Sequence, residues 1–255
     1  MVYKEITLKR DKFHKALKIG KEEGLKSLFV KLFLYFLCPP IAYISAIPSA
    51  IFFYLKPKKF FSFQGKKFPY FYHIYNTTWG NERTIEVPIV MDYIKESFMK
   101  RKRILEIGAV LVHYYPSRWD TLDKYELRKK IINKDILDFK PSNKYDLIVS
   151  ISTFEHVGFD EDIKDPVKII KAIKNLKENC LEVGGKGVIT MPLGYNLEMD
   201  KLLFANKLDF DEKIFLKRIN KENQWKEISE EEAKTSKYNK PFNAANSIVI
   251  GIIQN

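Results

Sequence analysis

A chain of 255 residues with 45% hydrophobic residues is long enough for one α/β domain with an appendage and a full core. The formal net charge of +12 favours acidic partners such as anionic lipid or nucleic acid, but a surface rich in lysine and glutamate, as in thermophile proteins, explains it equally well. The two cysteines, Cys38 and Cys180, are far apart, which excludes a disulfide framework and a cysteine-based metal site. Residues 1–25 are charged throughout, so we expect no cleavable signal peptide and a cytoplasmic protein.

Residues 28–55 form the most hydrophobic stretch, and Lys31 is its single charged residue. The stretch is long enough to span a membrane, but Pro39-Pro40 and Pro48 interrupt it. Lysines flank it on both sides, whereas a single span has an asymmetric charge distribution. The pattern therefore predicts a hydrophobic helical segment that dips into a membrane or lies along its surface. A helical hairpin packed on the soluble domain, or at a dimer interface, is the alternative.

The region before the first buried strand contains two further features. Residues 60–79 are dense in aromatic side chains, which suit a core, a substrate pocket or a membrane boundary. Residues 81–98 have apolar side chains at helical spacing, with Glu82 and Arg83 near the start. These two residues either form a solvated ion pair or contact a ligand.

A series of short apolar runs predicts a parallel sheet. The first run, Ile104 to Gly108, is interrupted only by Glu106, and such a run is typical of a strand buried on both faces. Burying the Glu106 carboxylate without a partner would be costly. A ligand at the carboxyl edge of the sheet, where open α/β sheets bind ligands, could be this partner. Further strands are predicted at residues 119–123, 131–136, 147–152, 188–191, 214–218 and 248–253, and a helix at residues 167–177. Only a few residues join the second and third strands, so we expect no helix between them.

Three motifs in this series resemble those of class I S-adenosylmethionine (SAM) dependent methyltransferases. They are Leu105-Glu-Ile-Gly108, Tyr145-Asp-Leu-Ile-Val-Ser150 with Glu155-His-Val157, and Leu181-Glu-Val-Gly-Gly-Lys-Gly-Val-Ile-Thr190. The resemblance implies an α/β fold, with a Rossmann-like seven-stranded methyltransferase sheet whose last strand is antiparallel. It places this domain over residues 81–255, after a basic and hydrophobic region over residues 1–80.

The same resemblance implies a function, a SAM-dependent methyltransferase, and a set of cofactor contacts. These contacts are Glu106, Gly108, Ala109, Asp123, Asp135, Ile136, Ser150 and Ser152. Glu106 and Gly108 would lie beside the amino acid part of SAM, and Asp123 would accept hydrogen bonds from the ribose hydroxyls. Asp135 would lie beside the adenine amino group and Ile136 against the ring. For Asp123 and Asp135 the alternative is a carboxylate in a surface turn, and Glu126 replaces Asp123 if the strand ends later.

Val110 departs from the family pattern, which has a second glycine at this position. A branched side chain narrows the approach of the backbone to a ligand. Either the loop takes another path, or cofactor binding is weakened or lost. The second outcome would favour an alternative function, a non-catalytic methyltransferase-like binding or membrane scaffold protein.

His156 is the predicted catalytic residue, because a hydroxyl acceptor must lose a proton and a neutral imidazole can take it. A structural or cofactor-contacting His156 is the alternative. The polar and aromatic loops at residues 194–196 and 238–246 are expected at the substrate edge. The acceptor would be a small molecule or, with membrane contact, a lipid-linked or glycan substrate.

Two other functions fit the sequence less well. Residues 108–113 lack the Gly-x-Gly-x-x-Gly pattern of nicotinamide dehydrogenases. The chain also lacks an Asn/Asp-Pro-Pro-Tyr/Phe motif, so a nucleic acid acceptor rests on charge alone.

Overall fold

The computed structural model describes residues 59–161 and 163–255, together with Ile47. From Lys59 onward these residues form one compact unit. Apart from Ile47, the segment over residues 28–55 lies outside the described residues, so its membrane contact stays a prediction, as does the domain boundary after residue 80. Within the described part of the chain, no helix is both long and apolar enough to cross a bilayer.

The described residues form a hairpin and one large sheet. Strands β1 (Phe60–Phe63) and β2 (Lys66–Pro69) make the antiparallel hairpin. The sheet contains β3 (Ile104–Ile107), β4 (Asp120–Leu122), β5 (Ile131–Ile132), β6 (Tyr145–Ile151), β7 (Leu181–Pro192), β8 (Glu212–Arg218), β9 (Trp225–Ile228) and β10 (Ser247–Gln254). Its order is β5-β4-β3-β6-β7-β10-β8-β9. Strands β3 to β7 are parallel, β10 is antiparallel to both β7 and β8, and β9 is antiparallel to β8.

Helices cover both faces of the sheet. The helices are α1 (Arg83–Met99), α2 (Lys168–Asn175), α3 (Leu197–Phe204) and the short α4 (Glu230–Ala233). Successive side chains of a strand point to opposite faces. Leu147 and Val149 of β6 therefore share a core with α1 and the hairpin, whereas Ile148 shares the other core with α2 and α3. Burying one such side chain contributes roughly 1.5–3 kcal/mol, so the two cores fix the strand ends firmly.

The predicted fold is confirmed, including the antiparallel pair made by residues 212–218 and 247–254. Between β4 and β5 the described chain has no helix, as the short connection indicated. Three elements differ from the predicted ones. Strand β5 ends at Ile132, four residues early, and the next side chain, Asn133, donates hydrogen bonds to the carbonyls of Asp123 and Glu126. Strand β7 begins earlier than predicted, at Leu181, and β9 adds an eighth strand to the predicted seven.

Candidate functional site

A cavity of about 400 Å³ lies at the carboxyl ends of the parallel strands. Gly108 follows β3, Asp123 follows β4 and Ser152 follows β6, and all three line it. Asp135 and Ile136, which come after β5, line it as well. We call this space the strand-end cavity. Its volume is typical of small-molecule sites, which occur at this edge of open α/β sheets.

The loop after β3 explains why Gly108 is a glycine and Val110 is not. Gly108 has a φ of 96°, and a Cβ atom there would lie 1.9 Å from Oγ1 of Thr153. Ala109, which is buried, has a φ of 33°. Val110 has helical backbone angles, φ −81° and ψ −45°, and precedes a 3₁₀ turn over Leu111–His113. The loop therefore takes a path that needs no glycine at position 110, and Val110 lines the strand-end cavity.

Glu106 lies below this loop and is 1% exposed. Its Oε1 accepts a hydrogen bond of 2.6 Å from the Leu111 backbone, and its Oε2 accepts one of 3.0 Å from the Trp119 indole. Burial raises the pKa of the Glu106 carboxyl. Both oxygens are engaged within the protein and Glu106 is not among the residues that line the cavity. Its geometry fits a residue that shapes the loop.

Ser150 lies in β6 and Ser152 directly follows it, and their side chains have different surroundings. Ser150 is fully buried, and its hydroxyl donates to the carbonyl of Ile107 at 2.9 Å, which joins β6 to β3. Ser152 has a φ of 36°, lines the strand-end cavity, and donates to Oε1 of Glu86 at 2.8 Å.

Asp123 follows β4, and its two carboxylate oxygens have different surroundings. Its Oδ1 accepts hydrogen bonds of 2.7 Å from the backbone of Tyr125 and of Glu126. Within the described part of the chain, Oδ2 has no hydrogen bond. A carboxylate oxygen in this position can accept hydrogen bonds from ligand hydroxyls.

Asp135 is held by two lysines. Its Oδ2 lies 2.8 Å from Nζ of Lys168 and 3.0 Å from Nζ of Lys124, and its Oδ1 accepts from the Leu137 backbone at 3.1 Å. Partial burial raises the pKa of Asp135, but the hydrogen bonds from Lys168, Leu137 and Lys124 outweigh this and lower the pKa to about 2. Asp135 is therefore ionised at neutral pH. Ile136, the next residue, is buried in the cavity wall.

His156 ends a 3₁₀ turn over Phe154–His156, just after β6. Its Nδ1 lies 2.5 Å from Oδ2 of Asp160, and its Nε2 lies 3.5 Å from Oε1 of Glu155. Tyr195 donates to the same oxygen of Asp160 at 2.8 Å. His156 lines the strand-end cavity and also a second pocket next to it.

This second pocket, which we call the polar pocket, has a volume of about 250 Å³. Its lining includes Asn76, Asn81, Glu82, Arg83, Ser152, Glu155, His156, Tyr195 and Tyr238. Ser152 and His156 therefore form a wall that both spaces share. Arg83, Gly108, Val110 and Asp123 line a smaller space of about 180 Å³, which adjoins the other two.

A buried charged cluster supports the wall between the pockets. Glu86, fully buried on α1, accepts hydrogen bonds from Ser152 and from Thr190 at 2.7 Å, and forms an ion pair with Arg83. Oε1 of Glu82 lies 3.8 Å from Arg83. The predicted alternative of a solvated ion pair at Glu82 and Arg83 is therefore wrong, because both side chains are largely buried.

Sequence reasoning missed several residues of the site. Glu86 was not singled out, although Glu82 and Glu86 are one helical turn apart, and Glu155 was named only as part of the motif beside His156. Lys124 and Lys168 were missed because a lysine near a carboxylate in space gives no local sequence signal. Thr153 can be identified only from the structure, where its side chain occupies the space that a Cβ atom at position 108 would need.

The sequence matches no family model and no curated protein. A SAM-dependent methyltransferase from Thermotoga maritima, described as a possible histamine N-methyltransferase, is 14% identical, with a TM-score of 0.37 over 64% of this chain and 96% of its own. The N-methyltransferase NodS from Bradyrhizobium japonicum, solved with S-adenosylhomocysteine (SAH), is 13% identical, with a TM-score of 0.40 over 69% and 94%. An rRNA methylase from Escherichia coli is 10% identical, with a TM-score of 0.38 over 92% and 85%.

Because these identities and TM-scores are low, the fold assignment rests on the strand order. The parallel strands run β5-β4-β3-β6-β7, and β10 lies antiparallel between β7 and β8. The fold is that of a class I methyltransferase. The extra strand β9 extends the sheet beyond β8 without altering this order.

Proposed function

We propose that this protein is a SAM-dependent methyltransferase that acts on a small polar acceptor. The observation that carries the proposal is the strand-end cavity, where residues from four strand ends meet in one space. This cavity lies at the edge where α/β sheets bind ligands. The helical backbone of Val110 supports the first of the two expected outcomes, a loop that takes another path.

The residues of the cavity fit SAM. The backbone at Gly108 can come close to a ligand, since it has no side chain and a φ of 96°. Asp123 would hold the ribose hydroxyls through Oδ2, and Asp135 would accept from the adenine amino group. Ile136 and Val157, which line the cavity, would supply apolar contacts for the ring. When bound, SAM supplies an electrophilic methyl group, and its transfer leaves the bonding electron pair on sulfur while the acceptor loses one proton.

His156 would take that proton at Nε2. Donation of the Nδ1 hydrogen to Asp160 leaves the lone pair on Nε2, which suits a general base. His156 lines both pockets, so an acceptor in the polar pocket can reach it. Ser152 and Glu86 would keep the shared wall in place, because their hydrogen bond joins β6 to α1.

Lys124 and Lys168 would act as positioning residues for Asp135. Their ion pairs fix its carboxylate beside Ile136 and keep it ionised. Loss of Lys168, which does not line the cavity, should weaken cofactor binding without removing a direct contact, whereas Lys124 lines the cavity itself.

A thermal-shift measurement with SAH tests the proposal. Wild type should gain thermal stability in millimolar SAH, because a ligand that binds only the folded state stabilises it. Asp123→Asn should lose most of this gain, and the exposed Asp138→Asn should keep it. No shift in wild type at millimolar SAH would refute the proposed function.

A further inference from the structure

The polar pocket contains more buried carboxyl groups than cations. Glu82 and Glu155, which line the pocket, are 7% and 1% exposed, and Arg83 is the one lysine or arginine side chain in the described pocket wall. Arg83 forms an ion pair with Glu86 and lies 3.8 Å from Glu82. An anionic group entering this pocket would meet surplus carboxyl groups. Hydrogen-bond donors, neutral or cationic, would be favoured instead.

The carboxyl group of Glu155 has one oxygen without a hydrogen-bond partner among the described residues. Its backbone carbonyl accepts a hydrogen bond of 2.8 Å from Asn196, which fixes the turn after β6. Its Oε2 is buried and has no hydrogen-bond partner among the described residues. Burial raises the pKa of the Glu155 carboxyl well above its usual range. Buried polar atoms are nearly always hydrogen-bonded, so Oε2, on a residue of the pocket wall, is the oxygen of Glu155 that can still pair with a bound group.

The other walls of the pocket fit a ring-shaped polar ligand. The rings of Tyr195 and Tyr238 lie 5.2 Å apart in an edge-to-face arrangement, and both line the pocket. Asn76 and Asn81 add amide groups. A space of about 250 Å³ with aromatic rings and many hydrogen-bonding groups has the size and chemistry for one sugar ring.

We propose that the polar pocket binds the methyl acceptor, that the acceptor presents an uncharged or cationic sugar-like group, and that Glu155 selects it by a hydrogen bond at Oε2. This inference rests on the proposed function. Uncharged and cationic acceptors must both donate a hydrogen bond to Glu155, and either a hydroxyl or an amine group can do so. Because Ser152 and His156 form the wall towards the strand-end cavity, a group held at Glu155 lies beside the proposed base.

Titration of three matched probes into SAH-loaded protein tests the acceptor class. D-glucose, D-glucosamine and D-glucuronic acid share one ring and differ in charge, and saturation-transfer NMR detects binding in the millimolar range. We expect glucose or glucosamine to bind, and glucuronic acid to bind at least tenfold more weakly. A stronger signal from glucosamine indicates an amine acceptor, and a stronger signal from glucose indicates a hydroxyl acceptor.

The role of Glu155 is tested with two variants and a matched control. Glu155→Leu and Glu155→Gln should weaken binding of the preferred probe at least tenfold while SAH affinity stays within twofold of wild type. Asp200→Asn is the control, because the half-buried Asp200 also has one buried, unpaired carboxyl oxygen and does not line the polar pocket. If Glu155→Leu does not fold, probe binding by the isosteric Glu155→Gln variant decides whether Glu155 has this role.

Three results would overturn the inference. They are equal binding of glucuronic acid and glucose, equal probe binding by wild type and the Glu155 variants, and no binding of any probe to SAH-loaded wild type. Absence of SAH binding is a separate outcome that refutes the proposed function. The probes are then titrated into the unloaded protein, where the same results decide for or against the pocket.

Discussion

Replacement of Gly108 by alanine should damage the loop that closes the strand-end cavity. The new Cβ would lie 1.9 Å from Oγ1 and 2.6 Å from Cγ2 of Thr153. Thr153 is not free to move away, because its hydroxyl donates to the Ile151 carbonyl at 3.0 Å. The backbone at Gly108 also has a positive φ of 96°.

Two terms give the expected magnitude. A side chain at positive φ costs roughly 1–2 kcal/mol. Overlap with a packed neighbour costs roughly 1–3 kcal/mol more. Gly108→Ala should therefore lower the free energy of unfolding by about 2–5 kcal/mol. Gly184→Ala is the matched control, because Gly184 has a φ of 72° and nothing described within 4 Å of its Cβ position. It should lose about 1–2 kcal/mol.

Urea unfolding of both variants, and of Gly108→Ala with Thr153→Ala, measures these terms. Thr153→Ala removes the two nearest overlapping atoms and leaves Cβ of residue 153 at 2.7 Å, so the double variant should be more stable than the sum of the single effects by about 1–2 kcal/mol. The reasoning is refuted if Gly108→Ala costs no more than Gly184→Ala, or if the two changes at Gly108 and Thr153 are additive.

Three further predictions address the site and the N-terminal segment. As expected for a general base, His156→Ala should lower the rate of tritiated methyl transfer from SAM to cell-extract components by ~10²–10⁴-fold and keep the affinity for SAH. Loss of SAH binding would instead show that His156 is a cofactor-contacting or structural residue. Because burial raises the pKa of Glu155 in the folded protein, the unfolded chain loses the carboxyl proton at a lower pH. Wild type should therefore lose stability relative to Glu155→Gln as pH rises above the ordinary carboxyl pKa of 4.5, by at most about 1.4 kcal/mol per pH unit. Urea unfolding measures this difference, and parallel stability curves of the two proteins from pH 5 to 8 would contradict it. The full chain should sediment with membranes at high salt and a chain starting at Phe60 should not; a full chain that stays soluble without detergent would favour the buried hairpin.

Most of the sheet could be predicted from the sequence because its strands are buried on both faces. Residues 104–107 and 145–151 are nearly continuous apolar runs, and such runs indicate central parallel strands without further context. Strand β9 was missed because Trp225–Ile228 is short and two of its four residues are charged and exposed. Its position depends on pairing with β8, which no local pattern records.

The candidate site was predictable only where a residue follows directly from a strand end. Gly108, Asp123 and Ser152 could be placed in this way, and all three line the strand-end cavity. Glu106 could be located but not its partners, since its hydrogen bonds to Leu111 and Trp119 depend on the path of the following loop.

The polar pocket and the buried charged cluster behind it could not be predicted, because their residues come from distant parts of the chain. Glu86 on α1 meets Ser152 and Thr190, which are 66 and 104 residues away. Glu155 was readable as part of a motif beside His156, but its unpaired oxygen depends on how α1 and the loops after β7 enclose it.

Calorimetric titration of SAH into the 255-residue wild type tests the central claim most directly. We predict saturable binding at one site per chain. Asp123→Asn, which removes a charge-assisted hydrogen bond, should weaken this binding by about 1.5–3 kcal/mol. A wild-type titration with no binding heat at millimolar SAH, repeated at a second temperature to exclude a vanishing enthalpy, would contradict the assignment of the strand-end cavity as a SAM site.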